Sequence, residues 1–135
     1  MSITVARRKR LFGGLFGRYF NTYFNDSMNG LTSPTNTDVQ TSISSYSIGT
    51  TDTWLFRGFF LADTTSSSWK FRTTSDDASY LWIGSNATNT DANLVIGQAV
   101  VDNGGTHSEQ TRTSGQISLT AGVYYPIAVV GGNGS

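Results

Sequence analysis

The sequence predicts an all-β domain, a sandwich or a barrel, preceded by an irregular basic N-terminal arm. Two observations carry that expectation. Short aromatic segments such as "WKFRT" (69–73) and "SYLWI" (79–83) recur between stretches rich in Gly, Ser, Thr and Asn, with no helix-period run of useful length. Charged and aromatic residues each make up 13% of the chain. Disorder needs few aromatics and a high net charge, and neither holds here. The 135 residues suit one domain with a real core.

The first segment reads as an arm over 1–17, with the β domain over 18–135. Arg7, Arg8, Lys9, Arg10 and Arg18 meet no acid before residue 19, whereas four basic residues face all nine acids afterwards. "ARRKRLFGGLFG" has three readings: a solvated tail, a sequence-independent phosphate contact through charge alone, or a docking arm with Leu11, Phe12, Leu15 and Phe16 filling pockets on another structural protein. Docking is favoured over nucleic acid, and no specific nucleic-acid partner is expected. The basic cluster and apolar patch superficially resemble a signal peptide, but glycines break the patch and no small-residue cleavage site follows.

Candidate strands then follow at Tyr19–Asn25, Ile43–Ile48, Thr53–Ala62, Ser68–Thr74, Ser79–Ile83, Leu94–Val101, Gln116–Thr120 and Val123–Val130. "GLTSPTNTDVQTS", "GSNATNTDAN" and "DNGGTHSE" read as loops, with Gly104 and Gly105 supplying positive φ in the last. Alternation puts Trp69, Phe71 and Thr73 on one face of their strand. It puts Tyr80 and Trp82 opposite Leu81 and Ile83 on the next, a central strand with two apolar faces. Most of these aromatics are expected in the core. Cysteine is absent, which excludes disulfides and thiolate metal sites. No apolar run reaches the ~18 residues a spanning helix needs.

Between two such strands stand adjacent acids, Asp76 and Asp77. Side chains of neighbouring residues in an extended strand diverge, so these carboxylates converge only where the backbone bends sharply or their peptide is cis. One reading is a solvated turn in which each acid bonds nearby backbone. The other is a hard cation, which takes six to eight oxygen ligands and cancels the repulsion between the acids. The residues alone leave both open.

"TSDDASYLWIG", then "NGG" with His107 two residues later, then "LTAGVYYPIAVVGGN", resemble the protective-antigen-type domain (PA-14), which includes the GLEYA adhesins and the flocculins. The resemblance runs from about Arg18 to the end, in the family's motif order. It implies an antiparallel β-sandwich whose adjacent aspartates, Asp76 and Asp77, are joined by a cis peptide and bind Ca²⁺. Asn133, in the loop after the "YYPI" strand, would complete the site, with a backbone carbonyl at Ser135. Vicinal sugar hydroxyls would then replace metal-bound waters, so the ligand is a glycan held weakly per site and strengthened by oligomeric display. The family's chain continues into a closing strand, so the resemblance also implies a strand beyond Ser135, from this chain or another.

The expected function is therefore a calcium-dependent carbohydrate-binding module on a virion or other extracellular surface. The leaderless Thr/Asn/Gly-rich domain is similar to those displayed on phage particles. The alternative is a structural decoration or filament subunit that uses the aspartates only as a turn. An enzyme is not expected: no nucleophile–base motif appears, and two acids on one cation cannot flank a scissile bond at the roughly 5–9.5 Å that glycosidases use. His107, the single histidine, reads as a solvated loop residue. Tyr124, Tyr125 and Pro126 read as packing residues.

Overall fold

The computed structural model describes residues 11–40 and 51–134. Ten strands form among the described residues: β1 (Leu11–Phe20), β2 (Asn36–Gln40), β3 (Asp52–Leu61), β4 (Ser66–Trp69), β5 (Arg72–Ser75), β6 (Ser79–Ile83), β7 (Val101–Asn103), β8 (Gln110–Thr113), β9 (Ile117–Leu119) and β10 (Tyr124–Asn133). A six-stranded antiparallel sheet runs β2-β1-β3-β10-β6-β7, and the pairs β4-β9 and β5-β8 form two ribbons. The all-β, sandwich-like expectation holds.

Period-two alternation assigns each residue of the large sheet to one of two cores. Leu15, Trp54, Phe56, Phe60, Leu81, Ile127 and Val129 lie on one face and pack with Phe71 and Leu119 from the ribbons. Phe20, Leu55, Tyr80, Trp82, Ala128 and Val130 lie on the other. That second face is covered by loops, through Phe24, Met28, Leu31, Ala87 and Leu94. β6 is interior to the sheet, and its Tyr80 and Trp82 face one core while Leu81 faces the other, as its two apolar faces predicted.

Several boundaries move, each for a local reason. The sheet begins at Leu11, within the stretch read as an arm. A register shift between Phe12 and Phe16 absorbs the glycines, and Leu15 is buried in the first core. The strand expected to continue through Asn25 stops at Phe20. Asn25 and Asp26 take left-handed φ values of 47° and 59°, so Tyr23 and Phe24 pack from a turn. β2 lies inside a stretch read as loop.

Ser68–Thr74 divides into β4 and β5, where Phe71 exchanges hydrogen bonds with Ser114: its N–H donates to Ser114 Oγ at 2.9 Å and its carbonyl accepts from Ser114 N–H at 2.7 Å. Leu94–Val101 is strand only at Val101, with a 3-10 turn at Ile96–Gln98, because Leu94 buries from a loop and the Val95 carbonyl accepts from Trp82 Nε1 at 2.8 Å. Only Gly105 of the glycine pair has positive φ. The expected strand Ile43–Ile48, the basic residues 7–10 and Ser135 lie outside the described residues.

Candidate functional site

Four loops meet at the end of the sheet where β10 finishes: 21–26, the Asp76–Ala78 corner, 104–109, and the segment from Asn133. The corner turns because Asp77 adopts a left-handed φ of 60°, a conformation that Asp tolerates better than most residues. No described peptide bond is cis, so the Asp76–Asp77 bond is trans, and the bend comes from φ instead. This corrects the cis geometry that the resemblance implied.

Asp77 is buried, with 2% exposure. Its Oδ1 accepts from the His107 amide at 3.0 Å and its Oδ2 from the Gly134 amide at 2.8 Å. Its own amide donates to the His107 carbonyl at 2.9 Å, and its carbonyl accepts from Ser75 Oγ at 2.7 Å. One carboxylate thus fastens the 104–109 loop and the chain after β10 to the corner. Below it Ser75, Ser79 and Thr73 form a buried chain of hydroxyls, with Ser75 Oγ and Ser79 Oγ 2.6 Å apart and Ser79 Oγ donating to Thr73 Oγ1 at 2.8 Å. The Asn103 amide donates into this chain at Ser75 Oγ, 2.9 Å away.

Asp76 is exposed and makes no hydrogen bond or ion pair with a described residue. Asn133 is half-buried at the last position of β10, opposite Asp52. The structure therefore brings Asp77 against Gly134, the residue after Asn133. His107 belongs to this junction through its main chain, and its ring nitrogens lie 2.8 Å from the Ser108 carbonyl and 3.3 Å from the Asn103 carbonyl.

Sequence reasoning did not single out Asp26. Its Oδ1 accepts from Tyr80 Oη at 2.8 Å, and both its oxygens are 3.1 Å from the Gly105 amide. The only local signal was a run of turn formers, "FNDSMNG". Gly104 fits beneath Tyr80, where a Cβ would sit 1.9 Å from the hydroxyl. A Cβ on Gly132 or Gly134 would come within 2.8 Å of the Tyr23 ring, so the glycines of "GGNG" let that ring lie on the backbone of the C-terminal segment.

Asp26, Asp76, Asp77 and Asp102 form no ion pair among the described residues. The resulting negative field reaches two hydroxyls. The Tyr80 pKa is pushed well up, first by burial, then by its hydrogen bond to Asp26 and the charges of Asp26 and Asp102. Burial raises Tyr23 first, and the charges of Asp26 and Asp77 add to it. The donor set suits a hard divalent cation in kind. Each Asp77 oxygen accepts one amide and keeps a lone pair, Asp76 bonds no described residue, and Asn133 immediately precedes Gly134 in the chain.

Comparison with solved structures finds a similar fold in a β-glucosidase from Kluyveromyces marxianus, in complex with glucose, with a TM-score of 0.58 and 10% identity over 96% of this chain. The chain spans 16% of that enzyme's length, and at this identity the likeness is one of fold alone. No curated protein matches the sequence. The GLEYA domain model matches residues 53–135, from β3 through the Asp76–Asp77 corner to the C-terminal segment, and GLEYA domains are carbohydrate-binding and adhesin-like. With more than half its length matched, the chain belongs to the GLEYA family.

Proposed function

We propose that this domain is a non-enzymatic, calcium-dependent carbohydrate-binding module displayed at a particle or cell surface, with Asp76, Asp77, Asn133 and the Ser135 carbonyl as the cation's protein ligands. The observation that carries this reading is Asp77, a buried carboxylate with no cationic side chain paired to it among the described residues, beside the exposed Asp76. Burying an unpaired carboxylate is costly unless amides or a metal stabilise it, and here two amides do so in part. When bound, calcium would supply open coordination positions for vicinal sugar hydroxyls. The chain's own residues hold the ligands in place: Asp77 fixes the segment that carries Asn133, and Tyr23 packs against it. A shallow, exposed site of this kind binds one sugar weakly, so useful avidity comes from many copies.

The test is a thermal melt in millimolar Ca²⁺ against EDTA, run on the unmodified chain and on Asp76→Asn. Asp76 bonds no described residue, so this variant removes a ligand's negative charge while no described contact of the fold is lost. A ligand at 100 times its Kd adds about 2.7 kcal/mol, several degrees for a domain of this size. A calcium-dependent rise that Asp76→Asn reduces or abolishes supports the metal site and leads to a glycan screen in Ca²⁺. An identical melt in Ca²⁺ and EDTA would overturn the calcium reading.

A further inference from the structure

At the other end of the strands the second face of the large sheet is left partly open. Phe16 is 40% exposed, Val39 64% and Phe59 47%, and Pro126 lies beside Phe59 in register. These residues line a cavity of about 760 Å³. A second cavity of about 570 Å³ adjoins it and is lined by Thr32, Thr88, Asn89 and Thr90. Arg18, Arg57 and Thr88 border both, so the two form one groove that passes from aromatic rings to hydroxyls and an amide. Pro126 and Asn133 are seven residues apart on β10, about 23 Å at ~3.3 Å per residue. The groove is thus separate from the aspartate corner.

At the middle of the groove two guanidinium groups share one carboxylate. Arg57 is the structural partner: its Nε donates to Asp91 Oδ1 at 2.8 Å, its Nη1 to the Ala87 carbonyl at 2.8 Å, and its Nη2 to the Asn89 carbonyl. That set alone neutralises Asp91 and holds the 84–93 loop on the sheet. Arg18 is surplus to it. Among the described residues only its Nη1 finds partners, 2.6 and 2.8 Å from the two Asp91 oxygens, and its side chain is the more exposed, 31% against 20% for Arg57. Its Nε and Nη2 hydrogens bond no described residue. Those two atoms form the edge of a guanidinium that meets a carboxylate with two parallel hydrogen bonds. The Phe16 ring beneath holds the group, 5.1 Å from the centroid to Cζ.

We propose that this groove is a second ligand site and that its ligand is an acidic saccharide. The free Arg18 edge pairs the uronate carboxylate, Phe16 and Phe59 meet the sugar's C–H face, and Thr88, Asn89 and Thr90 meet its hydroxyls. The local charge, two cations against one anion, favours an anionic group in a domain that is otherwise acidic. The proposal rests on the carbohydrate-binding character of the family but not on calcium.

The test is calorimetric titration of the full chain in EDTA with trigalacturonate, its methyl ester and triglutamate, with amide shifts mapped by NMR. Trigalacturonate is expected to bind and to shift Thr88, Asn89 and Thr90, with affinity falling as salt rises. The methyl ester and Arg18→Gln should each weaken binding ~10-fold or more, and Arg18→Lys should restore only part of it. Arg18→Gln leaves the Arg57–Asp91 pair intact, and its melting temperature checks the fold. Should it melt early, the shift map on the unmodified chain decides. Absence of binding at ~1 mM protein, equal binding of the ester, or triglutamate binding as tightly would overturn the proposal. So would trigalacturonate binding that requires Ca²⁺ and disappears in Asp76→Asn, which would assign the sugar to the aspartate corner. Calcium-dependent binding of neutral glycans alone would leave the corner reading standing and remove the groove.

Discussion

Asp77 combines three demands at one residue: a left-handed φ, a negative charge and a short side chain that reaches two amides. Asn meets the first and third, because it also tolerates that region of φ. Ala meets none, and it leaves the His107 and Gly134 amides without their acceptor. Hydrogen bonds to a charged group contribute about 1.5–3 kcal/mol each, and orphaned buried donors cost about 1–3 kcal/mol. Asp77→Ala should therefore destabilise the domain by about 3–5 kcal/mol, and Asp77→Asn by clearly less, both measured by urea denaturation. Equal losses would show that charge and shape at this corner do not matter separately. The adjacent acids were legible in the sequence. Their division of labour was not, because the His107 and Gly134 amides are 30 and 57 residues away along the chain.

Among the elements, the 84–93 loop is held by long-range contacts rather than by its own secondary structure. Its 3-10 turns have no side-chain caps. Arg57, on β3, holds it through Asp91 and two carbonyls, and Trp82 secures the following segment at Val95. Arg57→Ala should release the loop while Arg18 keeps Asp91 paired. The expected readout is faster amide exchange at Thr88, Asn93 and Leu94, with protection of β3 and β10 retained. Unchanged exchange would mean that apolar burial of Ala87 and Leu94 suffices. β3, β6 and most of β10 were readable as apolar runs of strand length because most of their residues are buried on both faces of the sheet. The division of Ser68–Thr74 was not, because it depends on Ser114, 43 residues from Phe71.

For the whole molecule, two tyrosines make stability fall at alkaline pH. Tyr80 and Tyr23 both have raised pKa values in the folded state, with burial the first cause in each. Below pH ~10 these groups are protonated whether the chain is folded or not, and they contribute no slope. Above it the unfolded chain releases protons that the folded chain retains, so stability falls as pH rises, by about 1.4 kcal/mol per pH unit for each such group. Tyr80→Phe should remove one proton from that slope, measured by urea titration between pH 9.5 and 11 on a ~0.5-unit grid. An unaltered slope would mean that Tyr80 titrates alike in both states.

The sequence by itself determined the class and the family-bearing segments. Alternating aromatics, scarce charge and abundant turn formers point to an all-β sandwich or barrel, and "TSDDASYLWIG" with "LTAGVYYPI" carries the likeness that the GLEYA match then established. Only the tertiary structure decided which residues converge. Asp77 meets His107 and Gly134, Asp26 meets Tyr80 and Gly105, and Arg18 meets Arg57 at Asp91. Periodicity reports the face on which a side chain lies, which is local information. Hydrogen bonds and ion pairs between distant loops depend on sheet order and register, and these arise from packing the whole chain at once.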